Sequence, residues 1–332
     1  MIKTIKQFSS INTLLIGDLI LDRFVFGHSS RISREAPVLV LKFRNEKLVP
    51  GGGGNAANNL LKLNCKLKIA SLLGNDESGQ KLQDYFSDSG ADVSSVIVDE
   101  NYTTSAKTRI MAGGLHTTVQ QVIRIDRENR QCVSEALQDK LLKSIRQDIK
   151  WADLIILSDY GVGVFTQNVI EEINELARKY SEKVFLVDSR YQLTSFKGMT
   201  ISTPNEEEAA LATGIIPEDM NIRVTGEKIM TATQNKNLLI TRGSQGMALF
   251  RSCGKTSYIP IYGSADISDV TGAGDTVSAT MGLSIAAGAD AELAAKIATL
   301  AASIVVHQPG TVPISYQELL TLVGEVENNN AF

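Results

Sequence analysis

Short apolar runs alternate with longer amphipathic segments along this chain, and this alternation restricts its fold more than any other feature. The apolar runs predict buried strands; they are Leu14–Ile16, Ile69–Leu73, Leu154–Leu157, Val184–Val187, Leu238–Ile240 and Met247–Phe250. The amphipathic segments predict helices; they are Asn55–Leu63, Gln80–Ser89, Gln167–Tyr180, Glu206–Ala212, Gly226–Gln234 and Ala291–Val306. Together they predict an α/β fold with a mainly parallel sheet covered on both faces.

Two regions depart from this alternation. Pro37–Phe43 is extended in character, and Ser105–Ile110 and Val119–Ile125 are typical of a hairpin joined through Gly113 and Gly114. These segments predict a small second sheet that forms a lid.

The sheet that these segments predict has one apolar face and exposed edges. A small isolated sheet is marginally stable in water, and an uncovered edge promotes aggregation. A second copy of the chain can supply that cover, and the alternative is that the lid packs on its own large domain. We expect the first, so the prediction is a homodimer. Each chain is expected to be a single domain over residues 1–332, with lid segments near 22–49 and 103–126.

Charge and cysteine content argue against several functional classes. With 33 basic and 37 acidic residues, the chain has no general attraction for nucleic acid or an anionic membrane. The apolar stretch Leu283–Val306 contains three charged residues, so it is not expected to span a membrane. The three cysteines are far apart and form no CxxC motif, which indicates neither a disulfide framework nor a zinc ribbon. The expected compartment is the cytoplasm.

The strongest functional signal is Asp269-Val270-Thr271-Gly272-Ala273-Gly274-Asp275, which stands directly before a helical run. Glycines at the start of a helix leave backbone N–H groups free at the positive end of the helix dipole, where they can bind an anion. A helix that is simply capped after a glycine turn is the alternative interpretation.

Three further strings stand at element boundaries. They are Pro50-Gly51-Gly52-Gly53-Gly54-Asn55, Asn205-Glu206-Glu207-Glu208 and Thr241-Arg242-Gly243-Ser244-Gln245-Gly246. Taken alone, each has an ordinary explanation: a flexible turn with an Asn cap, acids that favour a helix dipole, and a turn after a strand. No GxGxxG follows the first strand, which argues against a nicotinamide-dependent dehydrogenase.

Together, the four strings resemble the signatures of the ribokinase-like, or pfkB, family of carbohydrate kinases. The resemblance covers about residues 11–320 and implies the ribokinase-like three-layer fold with a small β-sheet lid. It implies that Asp275 is the general base, and that Gly272, Ala273 and Gly274 form an anion hole for the transferred phosphoryl group.

The same resemblance implies ATP and Mg²⁺ as cofactors. Asn205 and Glu208 would order magnesium and the nucleotide phosphates, and the nucleotide contacts would be Thr241, Gly243 and Gly246. Asp269 would hold a monovalent cation such as K⁺. The sugar hydroxyls would be bound by Asp22, Gly51, Gly52 and Asn55.

Further strings resemble the D-glycero-β-D-manno-heptose 7-phosphate kinase branch of this family. They are Gly17–Arg23, Ser30–Pro37, Gln121–Asp126 and Ser158–Gly161, and the last contains Asp159 as a candidate substrate ligand. The implied reaction transfers phosphate from ATP to the anomeric O1 of heptose 7-phosphate, giving the 1,7-bisphosphate, a precursor of ADP-heptose. No HxGH motif of a nucleotidyltransferase occurs, so a separate enzyme is expected to activate the sugar 1-phosphate.

Three departures from the branch leave the sugar open. Val162 and Arg190 stand where the branch usually has lysine, and Arg34 stands where it often has proline. The remaining candidate ligands for a substrate phosphate are Lys107, Arg109 and Arg124, each of which can equally be a solvated surface charge. The alternatives are a kinase for another sugar or hexose phosphate, and a non-catalytic sugar or nucleotide sensor. Asp275 argues against the sensor, which needs no base.

Overall fold

A computed structural model describes residues 1–113, 119–129, 132–263, 270–308 and 310–329, whose strands form two sheets. The larger sheet contains β1 (Asn12–Gly17), β4 (Lys66–Gly74), β5 (Asp92–Asp99), β8 (Leu154–Asp159), β9 (Val184–Ser189), β10 (Ile201–Ser202), β11 (Asn237–Thr241), β12 (Met247–Arg251) and β13 (Thr256–Ile259). The smaller sheet, the lid, contains β2 (Leu19–Ile32), β3 (Leu39–Gly52), β6 (Ala106–Gly113) and β7 (Gln120–Arg127).

The larger sheet has the order β13-β12-β11-β10-β9-β8-β1-β4-β5. All neighbours from β11 to β5 pair in parallel, and only β12 and β13 are antiparallel additions at one edge. The central strand β8 is buried along its whole length, because its side chains alternate between the apolar clusters on the two faces of the sheet. This confirms the predicted parallel sheet that is covered on both faces.

The helices cover these two faces. They are α1 (Ile2–Ile5), α2 (Gly53–Lys62), α3 (Glu77–Asp88), α4 (Glu135–Asp148), α5 (Gln167–Lys179), α6 (Glu206–Thr213), α7 (Ile222–Thr233), α8 (Ala273–Ala286), α9 (Ala291–Val305) and α10 (Tyr316–Asn328). Helices α2, α8, α9 and α10 contribute to one apolar cluster, and α4, α5 and α7 to the other. The molecule is therefore built as three layers, helix on sheet on helix. Over the described ranges, no helix is both long and apolar enough to cross a membrane.

The predicted start of a helix at Gly226 is wrong. Helix α7 begins four residues earlier, where the Asn221 side chain accepts hydrogen bonds from the N–H groups of Arg223 and Val224. Gly226 lies inside the helix, and a Cβ there would stand 2.3 Å from the Phe250 ring. The glycine marks a close packing contact, and the asparagine marks the helix boundary.

The lid has the order β3-β2-β6-β7, with β2 antiparallel to β3 and parallel to β6. Its two long strands have 14 residues each and extend well beyond the predicted segment Pro37–Phe43. Strands β6 and β7 pair antiparallel, as the predicted hairpin requires. Gly114, which was expected in the connection between them, lies outside the described residues.

Register places most charged side chains in the middle of the lid on one face. One row across three strands is Asp22, Lys107 and Asp126, and the row two residues further along is Phe24, Arg109 and Arg124. The row between these, Arg23, Thr108 and Ile125, belongs to the other face, as does the row beyond them, Val25, Ile110 and Ile123. The charged face turns toward the large sheet.

Candidate active site

A cavity of about 390 Å³ lies beyond the carboxyl ends of the parallel strands, between the large sheet and the lid. Its walls are formed by Asp22, Gly51, Gly52, Asn55, Lys107, Arg109, Arg124, Asp159, Tyr160, Asp188, Arg190, Thr203, Asn205, Glu208, Thr241, Val270, Thr271, Gly272, Gly274, Asp275 and Thr311. This acceptor cavity, as we call it, collects residues from both sheets and from the starts of α2, α6 and α8.

Asp275 lies in the first turn of α8 and is only 5% exposed. Its Oδ2 accepts a hydrogen bond of 2.7 Å from Nδ2 of Asn55, and its Oδ1 accepts one of 3.1 Å from the hydroxyl of Tyr160. Both carboxylate oxygens are therefore held, one by α2 and the other by the loop that follows β8.

Burial raises the pKa of Asp275 to about 6. The hydrogen bonds from Asn55 and Tyr160 oppose this rise because they favour the charged form, and the nearby charge of Arg190 acts in the same direction. The carboxylate is thus ionised at neutral pH, yet it is a stronger base than an exposed aspartate. A pKa near the working pH suits a group that accepts a proton from a substrate.

The side chain of Asn59 fixes how Asn55 is oriented. Asn59 is fully buried, and its amide nitrogen donates to the backbone oxygen of Asn55 at 3.0 Å and to its Oδ1 at 3.4 Å. Its own Oδ1 accepts from the Thr276 hydroxyl at 2.9 Å and from the Ile314 N–H at 3.2 Å. Since Oδ1 of Asn55 already accepts a bond, its amide nitrogen is the atom that faces Asp275.

On the lid side, Asp22 is bound by Arg109, with 2.5 Å between Oδ1 and Nη1. The adjacent backbone of β3 passes so close that a Cβ on Gly51 would lie 2.1 Å from Oδ2 of Asp22. The glycine is thus required by the approach of this carboxylate.

The cations of the acceptor cavity differ in how they are paired. Arg109 is neutralised by Asp22, and Arg124 makes two bonds of 2.7 and 2.6 Å to Asp126. Among the described residues, Lys107 and Arg190 have no ion-pair partner.

Both cations lie near carboxylates of the cavity. Burial lowers the pKa of Lys107, the charge of Asp22 opposes this, and the charges of Arg124 and Arg190 lower it further. Burial raises the pKa values of Asp188, Glu208 and Asp275, and the charge of Arg190 opposes that rise. The Arg190 guanidinium stands 5.4 Å from the centre of the Tyr160 ring. Lys107 is half-buried and Arg190 is exposed, and since neither forms an ion pair within the described ranges, both can contact an anionic ligand in this cavity.

Two further carboxylates face Asp275 across the cavity. Burial raises the pKa of Asp188 well above its usual range, and the charges of Glu208 and Asp275 add to the rise. Burial also raises the pKa of Glu208. Asn205 and Glu208 form a capping box, each side chain accepting from the other's N–H at 2.9 Å. Asn205 and Glu208 therefore stabilise the start of α6 and also line the cavity.

A second cavity of about 480 Å³ adjoins the first and shares Asn205, Thr241, Val270 and Gly274 with it. Its other walls are Glu206, Glu207, Gly243, Gly246, Met247, Ile261, Tyr262, Ala273, Val277, Thr299, Ala302, Ser303 and Val306. The apolar part of this wall suits a flat ring system, and the shared part leads toward Asp275.

The structure brings most of the candidate residues into these two adjoining cavities. Ala273, Gly243 and Gly246 line the second cavity, and the remaining described candidates line the first. Asp269 lies outside the described residues. Arg34 is exposed and belongs to neither wall as far as the structure describes them.

Sequence reasoning assigned no role to Asn59, Tyr160 or Asp188. Tyr160 and Asp188 could have been found from their places, since each stands at the carboxyl end of a predicted parallel strand.

Comparison with known proteins places the chain in one family. A family model described as "pfkB family carbohydrate kinase" matches residues 12–317. The protein named "Bifunctional protein HldE" of Geobacter metallireducens is 39% identical over 315 residues, and that of Geobacter sulfurreducens is 37% identical over 316 residues. Each match covers 95% of this chain but only 63% of the relative, so the chain spans less than two thirds of those proteins.

Solved structures share the fold at low identity. A ribokinase of Arabidopsis thaliana, complexed with ribose and ATP, has a TM-score of 0.70 at 20% identity and covers 94% of this chain and 98% of its own. Phosphofructokinase-2 of Escherichia coli, in complex with potassium, has a TM-score of 0.74 at 16% identity, with 96% and 99% covered. These similarities confirm the ribokinase-like fold.

Gly272→Ala tests how tightly the start of α8 is fitted to α2. Gly272 has a φ of +81°, and a Cβ there would lie 2.6 Å from Nδ2 of Asn55. We expect a loss of about 1–3 kcal/mol in stability and about 100-fold in turnover, because the Asn55–Asp275 contact is displaced. Gly274→Ala is the matched control, since nothing lies within 4 Å of its Cβ. Thermal unfolding that is lowered equally by both changes would contradict this account.

Proposed function

The chain belongs to the pfkB family of carbohydrate kinases and is therefore an ATP-dependent sugar kinase, and we propose that its acceptor is a sugar that already carries a phosphate group. The leading candidate is D-glycero-D-manno-heptose 7-phosphate, phosphorylated at the anomeric O1. The observation that carries the proposal is a single cavity that holds Asp275 together with Lys107 and Arg190, two cations that form no ion pair among the described residues. The motifs that resemble the heptose branch, and the identity to proteins named HldE, support this choice of sugar.

In the proposed reaction, Asp275 accepts the proton of the acceptor hydroxyl as that oxygen attacks the γ-phosphorus of ATP. The bond from that phosphorus to the bridging oxygen breaks, and ADP leaves. The backbone N–H groups of Gly272 and Gly274, at the start of α8, face the transferred phosphoryl group and stabilise its charge. The N–H of Ala273, the third residue of the expected anion hole, donates instead to the backbone oxygen of Val270 at 3.2 Å. ATP occupies the second cavity, with Thr241, Gly243 and Gly246 as contacts. Asp22, Gly51, Gly52, Asn55 and Asp159 bind the sugar.

The paired carboxylates Asp188 and Glu208 fit a magnesium ion. Both stand in the same cavity, and burial, followed by the charge of Glu208, raises the pKa of Asp188 although the charge of Arg190 opposes the rise, so an added cation would stabilise the ionised pair. Magnesium is commonly held by one or two carboxylates together with substrate phosphates and water. When bound, the ion would neutralise charge on the nucleotide phosphates. Asn205 orients Glu208 through the capping box.

Two other parts of the proposal concern the place of action and a monovalent cation. The three cysteines form no disulfide with one another, in keeping with a reducing cytoplasm as the place of action. A monovalent cation such as K⁺ at Asp269 stays a prediction from the family resemblance.

The function is tested by phosphoryl transfer from ATP to a panel of sugar phosphates and free sugars, with product mapping by phosphorus NMR. Asp275→Asn should lose about 2–4 orders of magnitude in kcat with the best acceptor, because it removes the base. For the parent enzyme, kcat/KM should fall as the pH drops below about 6, where Asp275 becomes protonated. Asp290→Asn, an exposed helix cap outside the cavity, is the control and should leave kcat unchanged. A fully active Asp275→Asn variant would refute the mechanism.

Lys107→Met and Arg190→Met test whether the acceptor carries a phosphate. Each removes a charge-assisted contact worth about 1.5–3 kcal/mol, so KM for the sugar phosphate should rise about 10- to 100-fold. KM for the same sugar without phosphate should change little. Lys42→Met, an exposed lid residue outside the cavity walls, is the control. An equal rise in KM for both acceptors would show that Lys107 and Arg190 do not bind the phosphate of the acceptor.

We also propose that two copies of the chain pair through the outer face of the lid. This face carries Ile123 and Ile125, which are 57% and 58% exposed, and Phe43, which is 67% exposed. Strand β7 is exposed throughout and forms one edge of its sheet. A second copy related by two-fold symmetry would cover both the apolar face and the edge.

Light scattering at micromolar concentration should therefore give twice the mass of one chain. Ile123→Glu together with Ile125→Glu should shift the mass toward a single chain, because charges at a buried contact are costly. Val224→Glu, which changes an exposed apolar side chain on α7, is the control and should not alter the mass. A parent enzyme that is monomeric and fully active would refute the dimer.

A further inference from the structure

The loop that follows β8 is held by a buried carboxylate. Asp18 is 1% exposed, and its two oxygens accept the backbone N–H groups of Tyr160 at 2.8 Å, Val162 at 3.2 Å and Val164 at 3.0 Å. A second anchor comes from Tyr102, whose hydroxyl donates to the backbone oxygen of Val162 at 2.9 Å. The loop backbone is thus fixed from the end of β1 and from the segment before β6.

This fixed loop carries the side chain of Tyr160 to the base. The phenol hydroxyl donates to Oδ1 of Asp275 at 3.1 Å, and the Arg190 guanidinium covers the ring. The ring lines the acceptor cavity, so the hydroxyl meets the carboxylate at the cavity wall.

We propose that Tyr160 is a positioning residue for the general base, and that it sets the plane of the Asp275 carboxylate relative to the acceptor hydroxyl. The inference rests on the proposed function, in which Asp275 receives the proton of that hydroxyl.

The physical reason is the freedom of an aspartate side chain. The terminal torsion of Asp is broad, so one hydrogen bond from Asn55 leaves the carboxylate free to rotate about the Cβ–Cγ bond. A second donor on the other oxygen, coming from a different element, removes that rotation. Each carboxylate oxygen still keeps a free lone pair for the substrate proton.

Tyr160 also affects the basicity of Asp275. A donor favours the ionised form, so the bond from Tyr160 counteracts the effect of burial on the pKa of Asp275. Removing the hydroxyl therefore has two consequences: the base is less well oriented, and it is protonated at a higher pH. A residue that merely supports the loop would produce neither a change in pH profile nor a selective loss in kcat.

The test is Tyr160→Phe, measured with the acceptor that the parent enzyme phosphorylates best. We expect kcat to fall about 10- to 100-fold, with KM for ATP unchanged, and the acid limb of kcat/KM to move up by about 0.5–1 pH unit. Tyr102→Phe is the matched control, since it removes a buried hydroxyl bond to the same loop without touching Asp275. It should leave the acid limb in place.

A tyrosine fluorinated on its ring at position 160 gives the opposite perturbation, because its more acidic hydroxyl is a stronger donor. The acid limb should then move to lower pH. Circular dichroism and thermal unfolding of each variant show whether it is folded. If Tyr160→Phe does not fold, the direction in which the acid limb moves in the fluorinated protein tests the inference.

An acid limb unchanged in Tyr160→Phe, or moved equally in Tyr102→Phe, would overturn the inference. The Asp275→Asn variant separates this failure from failure of the proposed function. If Asp275→Asn is inactive while Tyr160→Phe behaves like the parent, only the role of Tyr160 is wrong. If Asp275→Asn is active, the base itself is misassigned.

Discussion

A carboxylate buried at the start of a helix is the constraint on which the rest of this site depends. Burial disfavours the charge of Asp275, and two donors together with the helix dipole of α8 compensate for it. The donors come from α2 and from the loop after β8, so two helices and a strand end must meet within hydrogen-bond distance. Asn59 ties α2, α8 and the segment before α10 together at the same place.

The charges of the acceptor cavity are unevenly compensated, and the imbalance indicates what the site binds. Arg109 and Arg124 form ion pairs within the lid, whereas Lys107 and Arg190 form none in the part of the chain that the structure describes. Burial raises the pKa of both Asp188 and Glu208, and the charge of Glu208 adds to the rise at Asp188. An anion beside Lys107 and Arg190 and a cation beside Asp188 and Glu208 would balance these charges. A phosphorylated acceptor and a magnesium nucleotide supply these two charges in one complex.

The sequence predicted the parts of this structure that depend on local pattern. Buried strands such as β8, the helices α2 and α8 and the strings that line both cavities are local features, and the structure brings most of the residues in these strings to two adjoining cavities. Tyr160 and Asp188 were overlooked because their importance arises only when separate strand ends converge. Helices α4 and α10 were also missed. Gly226 was misread because the reason for this glycine, the Phe250 ring, is distant in sequence.

The lid shows how strand register joins the site to the surface of the molecule. Side chains alternate between faces with a period of two, so the row Asp22, Lys107 and Asp126 turns toward the cavity only if its register is kept. The irregularities of pairing occur further along, between Phe26 and Gly27 and between Ile110 and Met111. The charged rows are thus paired regularly, and the bulges are confined to the distal part of the lid, where they can bend and twist it without moving the substrate ligands. The opposite face carries the exposed side chains of Ile123 and Ile125 beside that of Arg23, so the lid that completes the site also presents apolar side chains on its outer surface.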